Sequence, residues 1–170
     1  MKLASWNIRG MNPPLKQNGI HKFIKQHCID IMGILKTKLG DQKLMRILRN
    51  KFDGFMHVNN FCTHRAGQIL ILWNPSKVYL DVMKVHPQMI HCKATCKVTS
   101  YTFLISFIYG FHTIINRRPI WNNIMEFNAN VSRMCAPLVF ITGGLMVHFG
   151  AKLVVITGGL MVCFGAKLIG

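Results

Sequence analysis

Acidic residues are scarce in this sequence of 170 residues. It contains five carboxylates against 21 lysines and arginines, which gives a formal net charge of +16 at pH 7. A carboxylate-rich metal site, or a pair of acid and base carboxylates, must therefore be drawn from these five side chains. The positive excess favours an anionic partner, either nucleic acid or an acidic membrane surface. The five carboxylates are Asp30, Asp41, Asp53, Asp81 and Glu126.

A secretory leader is also missing, because the opening MKLASWNIRG carries no apolar segment behind a basic start. The six cysteines are scattered along the chain. We therefore expect a protein that is not secreted and whose thiols stay free in a reducing compartment. Composition excludes wholesale disorder, since 51% of the residues are hydrophobic, and the length suits one domain of ordinary size.

A change in composition near Leu138 predicts two unlike parts, an α/β domain over residues 1–137 and an apolar, glycine-rich tail over residues 138–170. The first part holds 19 of the 21 basic residues and all five acids. The tail carries only Lys152 and Lys167.

The tail repeats itself with a period of 15 residues. ITGGLMVHFGAKL at 141–153 returns as ITGGLMVCFGAKL at 156–168, with His148 changed to Cys163. Packing tolerates many apolar exchanges, so this near identity indicates a recent duplication. We predict that each copy forms a tight hairpin at its Gly-Gly pair. A membrane helix is the alternative, although it would place Lys152 near the middle of the bilayer.

The first part alternates between strand and helix before a series of strands. A strand from Lys2 to Asn7, a helix from Leu15 to His27 and a buried strand from Cys28 to Leu35 predict a βαβ unit, and a second helix opens at Asp41. The later segments are expected to pair in antiparallel fashion. They are Phe55–Asn60, Gln68–Trp73, Val78–Val85, Met89–Lys97 and Tyr101–Tyr109.

A last helix is predicted from Ile114 or Arg117 to about Val131. Proline lacks the backbone N–H that a helix interior needs, so Pro119 suits the first turn better than a later position.

Five short motifs occur in one order along the first part. They are ASWNIRG at 4–10, IMGILKTK at 31–38, QILILWNP at 68–75, QMIHC at 88–92, and FIYG followed by RRPIW at 107–121. Together they resemble the endonuclease/exonuclease/phosphatase domain of plant non-LTR (LINE-type) retrotransposon polyproteins, over about residues 2–131. The resemblance implies part of a four-layered α/β sandwich with mostly antiparallel strands. It also implies a magnesium-dependent endonuclease that nicks DNA by phosphodiester hydrolysis, and hence a nuclear location.

The resemblance gives roles to three positions. Asn7 matches the family asparagine at the metal and phosphate end of the first strand, and Tyr109 matches the tyrosine whose hydroxyl approaches the phosphate. Lys36 stands where the family carries the glutamate that binds the metal, and a cation cannot coordinate magnesium. His112 replaces an asparagine three positions past Tyr109. We therefore expect Asn7 and Tyr109 to be vestigial and the chain to bind no metal.

Two later motifs of the family have no counterpart. Gly-Asp-Phe-Asn should follow a Pro-Trp-Leu-Val segment, but here CAPLVFI runs into TGGLMV. The Ser-Asp-His motif, which supplies the acid/base pair, does not occur before Gly170. The similar letters Glu126-Phe127-Asn128 fall inside the predicted last helix. We expect a truncated, degenerate fragment of the endonuclease without nuclease activity.

Non-catalytic binding of DNA is the alternative function. The first 53 residues carry eleven basic charges against three acids, and such a surface binds phosphates with an affinity that falls as salt rises. The plainer interpretation is that these lysines only solvate two helices. Association with a membrane through residues 138–170 is a third alternative, and no protein partner is inferred. The residues predicted to contact nucleic acid are Arg9, Lys16, Lys22, Lys25, Lys38 and Lys43.

Histidines and cysteines gather around two of the predicted strands, but their spacing does not fit zinc. On an extended strand Cys92 and Cys96 lie about 13 Å apart, too far to share one ion. We therefore reject a zinc site here. The residues considered are His57, Cys62, His64, His91, Cys92 and Cys96.

Overall fold

Two five-stranded sheets form the centre of the molecule. A computed structural model describes residues 1–63, 68–110, 114–131, 138–142, 153–157 and 160–163. The strands are β1 (Leu3–Asn7), β2 (Ile31–Leu35), β3 (Met56–Asn59), β4 (Ile69–Trp73), β5 (Val78–His86), β6 (Met89–Cys96), β7 (Thr102–Ile108), β8 (Leu138–Thr142), β9 (Leu153–Thr157) and β10 (Leu160–Cys163). The helices are α1 (Pro14–His27), α2 (Asp41–Lys51) and α3 (Ile114–Val131).

The first sheet has the order β10-β1-β2-β4-β3, and α1 joins its parallel strands β1 and β2. The predicted βαβ unit is therefore confirmed. Pro14 occupies the first turn of α1, where a missing N–H leaves no hydrogen bond unmade. Ile20 and Ile24, four residues apart, bury one face of α1 against the sheet. On α2 the buried face consists of Leu44, Ile47 and Leu48.

The strand predicted from Cys28 begins only at Ile31. Cys28 instead ends α1 in the left-handed conformation, with φ at 52°, and its N–H bonds to carbonyls of the last turn. The apolar run CIDIMGIL therefore divides between a helix cap and a strand, a boundary that hydrophobicity does not mark.

The second sheet has the order β5-β6-β7-β8-β9. Strands β5, β6 and β7 pair in antiparallel fashion as predicted, whereas β7 and β8 are parallel and are joined through α3. Helix α3 begins at Ile114, so Pro119 lies in its interior rather than in its first turn. The predicted start at Ile114 and end at Val131 are confirmed, whereas the preference for Pro119 in the first turn is not, because burial of Ile120 and Ile124 on this sheet outweighs the lost hydrogen bond.

The two sheets pack face to face through an apolar layer. Gly33 of β2 lies against the ring of Phe107 of β7, so closely that a Cβ at position 33 would overlap the ring. Helices α1 and α2 cover the other face of the first sheet, and α3 covers the second. The four-layered α/β sandwich with largely antiparallel sheets is thus confirmed.

The described strands of the tail extend both sheets. Strand β9 pairs with β8 in parallel, from Leu138 opposite Leu153 to Thr142 opposite Thr157, so each residue faces the one that follows it by 15 positions, the period of the repeat. Strand β10 instead pairs with β1 of the first sheet. The hairpin predicted for the second copy is therefore wrong, because the open edges of β8 and β1 supply the ladder partners.

The hairpin predicted for the first copy falls largely on residues 143–150, outside the described residues. In the described part of the chain, no helix has the length and apolar character needed to cross a membrane. The boundary between residues 137 and 138 remains a prediction.

Candidate active site

The carboxyl ends of β1 and β2 bring two of the predicted site residues side by side. Asn7 is the last residue of β1 and is in register with Leu35, the last residue of β2, so Lys36 follows directly beyond its neighbour. The loops that leave the two strands are joined by backbone hydrogen bonds. Gly10 N–H donates to the carbonyl of Lys36 at 2.7 Å, and Met11 N–H donates to that of Thr37 at 2.7 Å. We call this end of the sandwich the loop end.

Tyr109 reaches the loop end from the second sheet. Its N–H donates to the carbonyl of Gln88 at 2.8 Å, in the connection between β5 and β6. The side-chain amide of Asn60 ties that connection to the first sheet, because its Nδ2 donates to the carbonyl of Pro87 at 2.8 Å and its Oδ1 accepts from the N–H of Ile69 at 2.9 Å. The fold thus brings Asn7, Lys36 and Tyr109 to one end of the sandwich.

The side chain of Asn7 is incompletely bonded there. It is half-buried, and its Oδ1 is buried without a hydrogen-bond partner. An unsatisfied buried acceptor costs about 1–3 kcal/mol, so this oxygen marks a position where an additional donor or cation would be stabilising. The adjoining Lys36 is also half-buried.

Backbone strain concentrates on basic residues of the same loops. Arg9, Lys36 and Lys38 have φ values of 50°, 57° and 52°, in the left-handed region that favours glycine. Each such residue costs about 1–2 kcal/mol relative to an ordinary conformation. Strained backbone of this kind persists at functional sites where the surrounding structure fixes the conformation. Here the hydrogen bonds between the two loops fix it.

None of the five carboxylates completes a magnesium site beside Asn7. Asp30 lies at the opposite end of β2, where it accepts from the N–H of Lys2 at 2.7 Å and pairs with Lys77 at 3.2 Å. Glu126 of α3 pairs with Lys84 at 3.0 Å. The other three lie on or beside α2 and on β5, and within the described ranges no three potential metal ligands of the His, Cys, Asp or Glu type meet.

The donor set at the loop end therefore does not fit magnesium. Asn7 offers one amide oxygen, and the next strand is followed by the cationic Lys36. Magnesium requires several oxygen ligands.

The predicted nucleic-acid-binding residues separate into two groups. Lys16 lies near the loop end, where its Nζ donates to the carbonyl of Ile8 at 2.9 Å, and Asn12 holds the loop of Lys38 through the carbonyl of that residue at 3.1 Å. Arg9, Lys38 and Lys43 are exposed in the same region, at the start of α1 and α2. Lys22 and Lys25 are exposed farther along α1, with Lys25 in its last turn.

Sequence reasoning missed the polar residues that hold the loop end together. Gln68 and Gln88 stand inside motifs quoted for the resemblance, but no role followed from them. The carbonyl of Gln68 accepts from the N–H of Lys36 at 2.5 Å, and Gln88 holds Tyr109. Both contacts are made by main-chain carbonyls, so the type of residue at these positions gives no signal for them. His112 lies outside the described residues.

The residues considered for zinc take other roles. His91 is fully buried, and its Nδ1 bonds to the hydroxyl of Ser106 at 2.5 Å while its ring stacks on Phe127 at 3.9 Å. Burial raises the pKa of the neighbouring Cys92 thiol to about 12, so the thiolate needed by a metal is disfavoured. Cys62 is exposed, and His64 lies outside the described residues.

Solved structures share this fold. An endonuclease/exonuclease/phosphatase family protein from Bacteroides thetaiotaomicron matches with a TM-score of 0.63 and 16% identity, over 84% of this chain and 62% of that one. The human Nocturnin catalytic domain with bound sulfate matches with a TM-score of 0.59 and 12% identity, over 84% of this chain and 62% of that one. TDP2 of D. rerio with a single-strand DNA product matches with a TM-score of 0.59 and 10% identity, over 82% of this chain and 58% of that one. The sequence matches no protein-family model and no curated protein.

At these identities the similarity concerns the fold alone. The chain has the sandwich of endonuclease/exonuclease/phosphatase proteins and spans less than two thirds of the length of these three structures.

Proposed function

We propose that this chain is a degenerate form of a retrotransposon DNA endonuclease, in which the sandwich is kept and magnesium-dependent hydrolysis is lost. The observation that carries the proposal is Lys36, a half-buried residue that directly follows Leu35, the strand partner of Asn7, whose Oδ1 is buried and unsatisfied. An ammonium about 4 Å from a divalent cation is repelled by about 2 kcal/mol even at the dielectric constant of water, and by more inside a protein. The position that should attract the ion therefore repels it.

The region after β8 supports the same conclusion. The resemblance places Gly-Asp-Phe-Asn at the end of this strand, whereas Thr142 is followed by Gly143 and Gly144 in the sequence. Glu126 and Phe127 do not replace the missing motif, because they belong to α3 and contact Lys84 and His91. No carboxylate is left to orient a water molecule for attack on a phosphodiester.

Nicking of supercoiled plasmid tests the loss of activity. The purified, folded chain is incubated with magnesium or with EDTA, and an Asn7→Ala variant prepared in parallel reports contaminating nuclease. We expect equal, background conversion in all samples. Conversion that requires magnesium and is lost in Asn7→Ala would overturn the proposal, because it would show a working metal site at the loop end.

A second candidate function is nucleic-acid binding without a metal, and the basic loop end favours it. Arg9 and Lys38 are exposed there, and no ion pair neutralises either of them among the described residues. Fluorescence anisotropy with a labelled DNA duplex in EDTA measures this function. We expect binding that weakens steeply as salt rises. Binding that requires magnesium, or no binding at low salt, would contradict it.

A further inference from the structure

A groove of about 320 Å³ with a largely apolar floor and polar or basic residues along it runs between α1 and α2, on the outer face of the first sheet. It begins at the loop end and follows α2 to its last turn. Ile47 and Pro14 also line it. We call it the interhelical groove, and its polar residues are Asn12, Gln17, Lys43, Arg46, Asn50 and Lys51.

Among the described residues no ion pair neutralises the cations of this groove, although Asp41 lies near Lys43 and Arg46 at the start of α2. Both ion pairs among the described residues lie elsewhere, so Lys43, Arg46 and Lys51 have no carboxylate partner there. The effect reaches a neighbouring histidine: burial, and then the positive charges of Lys25 and Lys51, lower the pKa of His21. An anion in the groove would remove repulsion that the fold otherwise sustains.

The spacing of the three cations suits a run of phosphates. At about 1.5 Å per residue, the eight steps from Lys43 to Lys51 extend about 12 Å along α2. One strand of a DNA duplex advances about 3.4 Å per phosphate along the helix axis, so about three phosphates fall within this length.

The amide groups of the groove match the same ligand. Asn50 is exposed and carries N–H donors, and the exposed Asn12 uses its Nδ2 to bond to the carbonyl of Lys38 but has a second N–H on the same atom. Gln17 is buried and is already bonded through Nε2 to the carbonyls of Met11 and Asn12, at 3.1 Å each. Lysine, arginine and amide donors are the groups that contact phosphate oxygens, and such contacts carry no base sequence information.

We propose that the interhelical groove binds the phosphate backbone of double-stranded DNA, in a manner that is independent of base sequence and of divalent metal. This inference rests on the proposed nucleic-acid-binding function and gives it a location distinct from Asn7, Lys36 and Tyr109. Each contacted phosphate contributes about 0.9 to the slope of log affinity against log salt.

The test compares two triple variants that lose the same charge. Lys43→Gln/Arg46→Gln/Lys51→Gln empties the groove of cations, while Lys93→Gln/Lys97→Gln/Arg118→Gln removes three cations from strands and helix of the second sheet. Affinity for a DNA duplex is measured by anisotropy in EDTA over a range of salt, and circular dichroism checks folding. The groove variant is expected to lose about 2–3 units of salt slope, and the control to keep the parent slope within about 0.5.

The outcomes separate this inference from the function on which it rests. If the parent chain binds and the two variants weaken equally, the groove assignment is wrong while DNA binding stands. If the parent chain does not bind at low salt, the nucleic-acid-binding function itself fails. A groove variant that binds only one base sequence less well would also contradict the proposal, because backbone contacts weaken all sequences alike.

Discussion

The two halves of the sandwich treat positive charge differently. In the half built on the second sheet, Lys84 pairs with Glu126, Lys77 reaches Asp30, and Lys97 lies over the ring of Tyr79 at 4.6 Å. In the half built on the first sheet, the cations of the joined loops and of the interhelical groove have no carboxylate partner among the described residues. Three cations of the second half are therefore paired or stacked, whereas those of the joined loops and the interhelical groove remain available to an anionic ligand.

Acidification should destabilise the second half most strongly, because His91 must stay neutral. Burial, and then the charges of Lys84 and His86, lower the pKa of His91 to about 4 from an ordinary 6.5. The unfolded chain binds the proton first, so stability is complete above pH 6.5 and falls as the pH drops toward 4. The loss reaches roughly 3 kcal/mol. Urea unfolding at pH 7 and at pH 4.5 measures it.

The control for this loss is His91→Gln, which has no titrating ring. Its stability should vary less between the same two pH values than that of the parent chain. An equal pH dependence in both would assign the effect to other groups and remove this difference between the halves.

Asp30 should show the next largest effect, because it joins the halves. Asp30→Ala leaves the N–H of Lys2 without its acceptor and Lys77 without its partner. We expect a loss of about 2–3 kcal/mol in the free energy of unfolding. The exposed Asp81 provides the matched control, and Asp81→Ala should stay within about 0.5 kcal/mol of the parent chain. Equal effects would show that burial of the carboxylate does not decide its contribution.

Lys36→Gly should stabilise the first half. Glycine adopts a φ of 57° without the Cβ conflict, so we expect a gain of about 1 kcal/mol, reduced by the entropy of glycine in the unfolded chain. Ser100→Gly provides a neutral control at a φ of 56° in the second half. A larger gain for Lys36 than for Ser100 would measure charge repulsion at the loop end. A loss on Lys36→Gly would show that its side chain supports the fold.

The smallest effect concerns single lysines. Lys43→Gln should raise stability by about 0.3 kcal/mol at low salt and by nothing at high salt, because it relieves screened repulsion. Lys97→Gln should lower stability by about 0.5 kcal/mol, since it removes the cation above Tyr79. Thermal unfolding at two salt concentrations compares them. If both variants changed stability in the same direction, the proposed difference between the halves would be contradicted.

Periodicity identified the elements of the fold more reliably than their ends. The helical spacing of Ile20 and Ile24 found α1, and the alternation of strands found the antiparallel pairing of β5, β6 and β7. The start of β2 was misplaced, because the left-handed cap at Cys28 leaves no hydrophobic signal. The hairpin of the second repeat copy was predicted wrongly for a related reason. The Gly-Gly pair is a local turn signal, whereas the strands pair with distant sheet edges that cannot be identified from the sequence.

At the loop end, the order of motifs pointed to Asn7, Lys36 and Tyr109, and the fold brings all three to one end. Their functional roles remain predictions. The residues that position them, Asn60 and Gln68, act through hydrogen bonds between distant segments, and such bonds have no periodicity. The interhelical groove likewise depends on how α1 and α2 sit side by side, which helical patterns alone do not specify.

Magnesium titration observed at the side-chain amide of Asn7 by NMR tests the central claim most directly. We expect no saturable shift of this signal in the parent chain, because Lys36 repels the ion and no carboxylate completes its coordination. A Lys36→Glu variant measured beside it shows whether charge alone prevents binding. A saturable shift in the parent chain would mean that the loop end still holds the metal, and that the claim of a sandwich kept without its metal site is wrong.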